Sequence, residues 1–218
     1  MPKGNSSVII FLTSFNVILQ MNFLAHAFLS FNDADILTGN MISDFVKGKR
    51  KFDYPVSIQN GIYLHRQIDN FTDFHLSTAR AKEFFRPKYR LYSGAFVDIV
   101  YDHFLATDQK QFNQNDSLKS FTETTYSLLE KNAAYFPDHF QKMFPYMRSQ
   151  NWLYEYRLKE GIHKSFAGLV HRALYLNESD VAFEVFNTYY DELKDCYESF
   201  FPELKSYTVS ILGSLIPR

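Results

Sequence analysis

Along most of the chain apolar residues recur at spacings of three and four. No alternation of apolar and polar positions is sustained between turn residues, so the pattern predicts helices and no strands. The predicted helices run from about Phe23 to Phe31, Ala34 to Val46, Pro55 to Lys82, Pro87 to Ala106, Leu118 to Asn132, His139 to Arg148, Leu153 to Tyr175 and Val181 to Phe200. Pro55 and Pro87 stand at predicted first turns, where a missing N–H leaves no hydrogen bond unmade. No repeat, glycine-rich linker or low-complexity tract divides the chain. Its 218 residues suffice for one substantial core, and the expected architecture is all-α, a single-domain helical bundle.

Two of these helices carry polar residues where the pattern asks for apolar ones. Ile58, Ile62, His65 and Asp69 follow one another at steps of four, three and four, so His65 and Asp69 continue the stripe that the isoleucines turn inward, and Asp73 extends it by a turn. Taken alone, His65 and Asp69 need do no more than hydrogen-bond each other. The segment Leu91 to Leu105 is apolar or small at almost every position, the mark of a helix buried on most sides, yet it contains Asp98, Asp102 and His103. Burying two carboxylates one turn apart costs several kcal/mol, on the order of the desolvation of each, unless a cation or a shared proton compensates. A divalent metal meets that need, and so does an arginine such as Arg66 or Arg172. His26 and Asp44 are two further polar side chains in apolar runs. A pool of His and Asp without Cys favours oxygen and nitrogen coordination, which suits manganese, magnesium or iron and admits zinc.

Composition narrows the classes. Apolar residues make up 46% and aromatics 18%, enough to bury a core against the entropy of ordering. The formal net charge of -1 and the want of any recognition motif argue against nucleic-acid binding. The charge is uneven: residues 47 to 90 carry ten basic and four acidic groups, net +6, whereas residues 111 to 218 carry eleven basic and fourteen acidic ones. An acidic partner is therefore expected, if anywhere, at the basic stretch around Lys49, Arg50 and Lys51. The single cysteine, Cys196, excludes an internal disulfide and fits a reducing, cytoplasmic setting. The apolar run Val8 to Leu19 is too short to span a bilayer. Residues 1 to 20 read best as an extension, disordered or lying upstream of a start at Met21, and residues 21 to 218 as the domain proper.

Several spaced motifs resemble one family: Met21-Asn22-Phe23-Leu24-Ala25-His26, Gly39-Asn40 with Asp44-Phe45-Val46-Lys47-Gly48, Gly61-Ile62 with Leu64-His65-Arg66 and Ile68-Asp69, Phe71-Thr72-Asp73, and Asp98 with Asp102-His103-Phe104-Leu105. In this order they resemble the acyl carrier protein phosphodiesterases, a rearranged branch of the helical, metal-dependent HD superfamily. The likeness runs from about Met21 to Phe201 and loosens downstream, where Trp152-Leu153, Tyr156, Gly168-Leu169 and Arg172 continue it.

The resemblance implies an HD-domain-like fold and hydrolysis of the phosphodiester between 4'-phosphopantetheine and a serine of holo acyl carrier protein, usually with Mn2+, with Mg2+ or Fe2+ as alternatives. It makes His26, Asp44, His65, Asp69, Asp98, Asp102 and His103 the pool of metal ligands. Asp44, Asp69 and Arg66 become the catalytic candidates. Arg66, Arg172, Lys49, Arg50 and Lys51 are then the groups that meet the substrate. Two rival readings share these residues: a helical phosphohydrolase acting on a nucleotide or another small phosphodiester, and a non-catalytic module that binds a carrier protein.

Overall fold

The computed structural model describes residues 23–113, 117–173, 176 and 178–215. The extension expected over residues 1 to 20 and the motif residues Met21 and Asn22 lie outside them. Among the described residues the secondary structure is helical throughout, as the periodicity predicts. In chain order the α-helices are α1 (Phe23–Phe28), α2 (Ala34–Ile42), α3 (Val56–Phe74), α4 (Leu76–Tyr89), α5 (Ser93–Thr107), α6 (Ser117–Lys131), α7 (Asp138–Ser149), α8 (Trp152–Glu155), α9 (Lys159–Arg172), α10 (Asp180–Thr188) and α11 (Tyr190–Leu215). Short 3₁₀ turns over Ser43–Phe45, Gly48–Asp53 and Arg90–Tyr92 join some of them. None of the helices is long and apolar enough to cross a membrane.

Four predicted helices are broken. The stretch expected to run from Pro55 to Lys82 stops at His75, whose backbone is extended and whose Nδ1 accepts the Ser77 N–H 3.1 Å away, capping α4. Pro87 does not open a helix. It sits in the last turn of α4, and the break falls at Arg90, which takes a positive φ of 46°. The Leu153 to Tyr175 stretch divides into α8 and α9, with Tyr175 outside the described residues, and the Val181 to Phe200 stretch divides at Tyr189. The helix predicted from Ala34 to Val46 ends at Ile42 and tightens into the 3₁₀ turn Ser43–Phe45 that carries Asp44.

α5 runs through the middle of the bundle with thirteen of its residues buried, which accounts for its nearly unbroken apolar sequence. Phe85 of α4, Phe96 of α5 and Phe166 of α9 pack ring against ring around it. α2 and α3 pack backbone to backbone. A Cβ on Gly39 would lie 2.1 Å from the Ile58 carbonyl oxygen, and one on Gly61 would lie 2.3 Å from that of Ile36. The two glycines let the helix backbones touch, and the residues that follow them in each helix are those of the site.

Candidate functional site

The site begins with that crossing. Asn40 follows Gly39, and His65 lies one turn beyond Gly61. With the backbones in contact, the Asn40 carbonyl oxygen comes within 2.7 Å of His65 Nδ1. A carbonyl can only accept, so Nδ1 must carry a proton, and the other nitrogen, Nε2, points away as the one that gains or loses a second proton or takes a cation. The Asn40 side chain does the same for His26. Its Nδ2 donates to the His26 carbonyl at 2.9 Å and to Ser30 Oγ at 3.0 Å, which leaves Oδ1 to accept from His26 Nδ1 at 2.7 Å. One asparagine therefore fixes the tautomer and orientation of two imidazoles from two helices.

Both Nε2 atoms face Asp69. His26 Nε2 is 3.3 Å from Asp69 Oδ1, and His65 Nε2 is 3.2 Å from Asp69 Oδ2 and 3.1 Å from Asp44 Oδ1. His26 Nε2 is buried and has no hydrogen-bond partner. Imidazole lone pairs turned toward a carboxylate repel it unless a proton or a cation lies between them. The pKa shifts show the same tension. Burial, the largest influence on His65, would lower its pKa, but the Asp69 and Asp44 carboxylates together raise it well above the usual range. His26 is lowered, chiefly by burial and then by the charge on His65. Asp69 would be raised by burial, yet His65 and His26 hold it far below the usual carboxylate range. Two adjacent rings thus compete for one positive charge. Donor atoms of His26, His65 and Asp69 all lie within 4.8 Å of one another, close enough to share one divalent cation. The carboxylates of Asp69 and Asp44 remain 22% and 24% exposed, so the cluster opens to solvent on their side.

The rest of the predicted pool is disposed differently. Asp102 is fully buried, but its two oxygens accept the backbone N–H groups of Leu24 at 3.0 Å and Ala25 at 2.8 Å, and the Tyr156 hydroxyl bonds to it as well. Its work is to cap α1, the helix that presents His26. Burial still pushes its pKa up to about 8 against those hydrogen bonds. His103 is held by the Tyr156 carbonyl at 2.7 Å and the Tyr190 hydroxyl at 2.9 Å, on the side of α5 that faces α8 and α11. The structure does not bring either residue into the His26, His65 and Asp69 group, because α5 spends both on its helical neighbours. Asp98 is buried near enough to feel Asp69: burial first, then the Asp69 and Asp73 carboxylates, drive its pKa well up. Asp73 itself pairs with Lys82 at 2.7 Å.

Arg66 is exposed and reaches the Val46 carbonyl at 3.4 Å, beside the turn that carries Asp44. Lys49 and Arg50 project from the surface of the next turn, Gly48–Asp53, and Lys51 lies over the exposed ring of Phe52, 4.9 Å from its centroid. Arg172 is elsewhere, in a cavity whose lining includes none of His26, Asp44, His65 or Asp69. Asn40 is the residue that the side-chain pattern did not single out for a role. The available signal was a lone asparagine beside a glycine in a largely apolar helix.

These features define the chain as an all-helical protein with a His-His-Asp centre organised by one asparagine. The family model described as acyl carrier protein phosphodiesterase matches residues 21–204, and the chain belongs to that family of hydrolases. Curated acyl carrier protein phosphodiesterases from Klebsiella pneumoniae, an Enterobacter species and Yersinia pestis are each 32% identical to it over 184 residues, covering 84% of this chain and 95% of each relative. No solved structure matches the chain at a significant level.

Proposed function

We propose that this chain hydrolyses the phosphodiester joining 4'-phosphopantetheine to a serine of holo acyl carrier protein. Water adds to phosphorus, the bond from phosphorus to the serine Oγ breaks, and the products are the apo carrier with its serine hydroxyl restored and free 4'-phosphopantetheine. The observation that carries the reading is the His26, His65 and Asp69 centre, partly open to solvent, in a chain of this family.

His26, His65 and Asp69 would hold a divalent cation, with Mn2+ the first choice and Mg2+ or Fe2+ as alternatives for a nitrogen and oxygen donor set. Bound there, the ion would supply Lewis-acid stabilisation of the charge developing on the phosphoryl oxygens and acidify water. Asp44, at the open side and within 3.1 Å of His65, is placed to take up a proton from the attacking water or return one to the serine. Arg66, anchored on Val46, supplies a cation at the same edge for the phosphoryl oxygens.

The carrier itself, as an acidic protein, is received by Lys49, Arg50 and Lys51, five to seven residues along the chain from Asp44, with exposed Phe52 adding apolar area. Paired His and Asp side chains on the helices of an all-α domain support placing the chain as a rearranged member of the HD superfamily. The lone, buried Cys196 supports a cytoplasmic setting.

Mass spectrometry of holo acyl carrier protein incubated with this protein and Mn2+, beside a chelated control, tests the proposal. Metal-dependent loss of the phosphopantetheine mass is the expected result. An intact carrier in the presence of folded, metal-loaded protein would reject it and return the substrate to nucleotides or other small phosphodiesters. Failure to bind metal at all would favour a non-catalytic carrier-binding module.

A further inference from the structure

A second site lies on the other side of α5. Between α5, α8 and α9 is a cavity of about 330 Å³, a volume at the lower end of those that hold small organic ligands. Its floor is one face of α9. Gly161, Ser165, Gly168 and Arg172 follow at steps of four, three and four, so the first three leave the space in front of the helix unfilled. Gly161 is demanded by the packing itself, since a Cβ there would lie 2.1 Å from the Glu155 carbonyl oxygen. Gly168 lets the guanidinium of Arg172 lie back along the helix, within 3.2 Å of where a Cβ would stand. Ile99 and Trp152 form apolar walls, and the Trp152 Nε1 donates to Gln150 Oε1 at 2.9 Å, which fixes the ring.

The charge in this cavity is out of balance. Arg172 and Lys164 face it against the single carboxylate of Glu155. Arg172 is only partly exposed, its Nε is buried without a hydrogen-bond partner, and among the described residues no carboxylate pairs with it. Buried arginines are ordinarily paired, because an unpaired one forfeits hydration with nothing in exchange. Burial lowers the pKa of Arg172, with the nearby Tyr156 opposing the shift.

We infer that this cavity binds a small organic anion, its carboxylate or phosphate head on Arg172 and Lys164 and its apolar body between Trp152 and Ile99. The site is separate from the His26, His65 and Asp69 centre, and the inference does not depend on the reaction proposed there. Planar, forked donors suit either head group, while the apolar walls select against a bare inorganic ion.

Trp152 is the only tryptophan in the chain, so its fluorescence reports the cavity directly. The experiment titrates the metal-loaded protein with phenyl phosphate, phenylacetate and inorganic phosphate. A saturable change with one or both aromatic anions, at least about tenfold tighter than with inorganic phosphate, is expected, and the preferred probe identifies the head group. Arg172→Gln should weaken that binding about tenfold or more. Ser165→Phe, which fills the floor and keeps the arginine, should abolish it, with circular dichroism showing both variants folded. His65→Gln should leave it unchanged. The inference is overturned by an unsaturable response to both aromatic anions. It is equally overturned by unaltered affinity in a folded Arg172→Gln or Ser165→Phe variant, or by loss of binding in His65→Gln, which would place the anion at the hydrolytic centre.

Discussion

The imidazole rings of His26 and His65 stack with centroids 4.0 Å apart and planes 18° from parallel, although the two residues are more than thirty positions apart in the chain. The stack would be costly if both rings were charged. It is tenable because Asn40 engages both Nδ1 atoms and so turns both Nε2 atoms to the same side, toward Asp69, where one proton or one cation serves the pair. The pair is therefore built to share one cation rather than to carry two.

Asn40 should accordingly matter more than a residue outside the donor set usually does. Asn40→Ala removes the acceptor for His26 and the donor to its carbonyl, and leaves buried groups unpaired at a cost of about 1–3 kcal/mol. Metal affinity should fall about 10–100-fold as His26 loses its fixed tautomer. Isothermal titration with Mn2+ measures the affinity and thermal melting the stability. Unchanged metal affinity would show that the rings are held by packing alone.

Metal binding should release a proton. Without a cation in the centre, the pKa of His65 is raised by Asp69 and Asp44, so at neutral pH its Nε2 is protonated and must lose that proton to become a ligand. Affinity therefore rises with pH through neutrality. The stability follows the same sign. A raised histidine contributes its full stabilisation below the unfolded value of about 6.5 and loses it as pH climbs toward the folded one. Chelated protein should weaken over that range while the loaded protein does not, so the rise in Tm caused by Mn2+ should be larger at alkaline than at mildly acidic pH. Titrations in buffers of different ionisation enthalpy would give identical heats if His65 were not a ligand.

The helix crossing makes a prediction of its own. Gly39→Ala puts a methyl 2.1 Å from a backbone oxygen that cannot turn aside, so α2 and α3 must separate. Overpacking of this kind costs about 1–3 kcal/mol or somewhat more. Activity should fall further than that loss of stability explains, because the same shift lengthens the bond from the Asn40 carbonyl to His65. Comparing turnover with the folded fraction at one temperature checks this. Activity that merely tracks the folded fraction would separate the crossing from the site.

How much of this could be read from the sequence depends on whether the cause is local. Helical periodicity gave most of the helices, and polar residues interrupting apolar faces pointed to His26, His65 and Asp69. The breaks at His75, Arg90 and Tyr189 carry no proline or glycine, since a side-chain cap at His75 and a positive φ at Arg90 do the work. Asp102 and His103 look like ligands in sequence because both are polar in a buried helix. Only the fold shows that their partners are the end of α1 and the tyrosines Tyr156 and Tyr190. Asn40 is the converse case, with a role that exists only once two helices touch.

The basic turn should govern encounter rather than chemistry. Reversing Lys49, Arg50 and Lys51 to glutamate removes positive charge from an exposed segment, so the KM for holo acyl carrier protein should rise about tenfold or more at low ionic strength. The rise should shrink as salt screens the surface over a Debye length of roughly 10 Å at 0.1 M. Turnover at saturation should change little. Steady-state kinetics across a salt series checks both expectations, and a KM that ignores the reversal would place the carrier elsewhere.

Asp102 offers a test of position against ligation. Asp102→Asn retains one acceptor but turns an amide NH2 toward a backbone N–H of α1, so at least one of the bonds to Leu24 and Ala25 is lost. Leaving a buried backbone N–H without its acceptor costs about 1–3 kcal/mol, and destabilisation of about that size is expected. Because α1 carries His26, metal affinity should fall as well, which by itself would be read as loss of a ligand. Chelation separates the two causes. A ligand stabilises only through its metal, so if Asp102 were one, the variant and the wild type would melt together in excess chelator. A cap acts with or without the ion, so the difference in Tm should persist in chelator nearly undiminished.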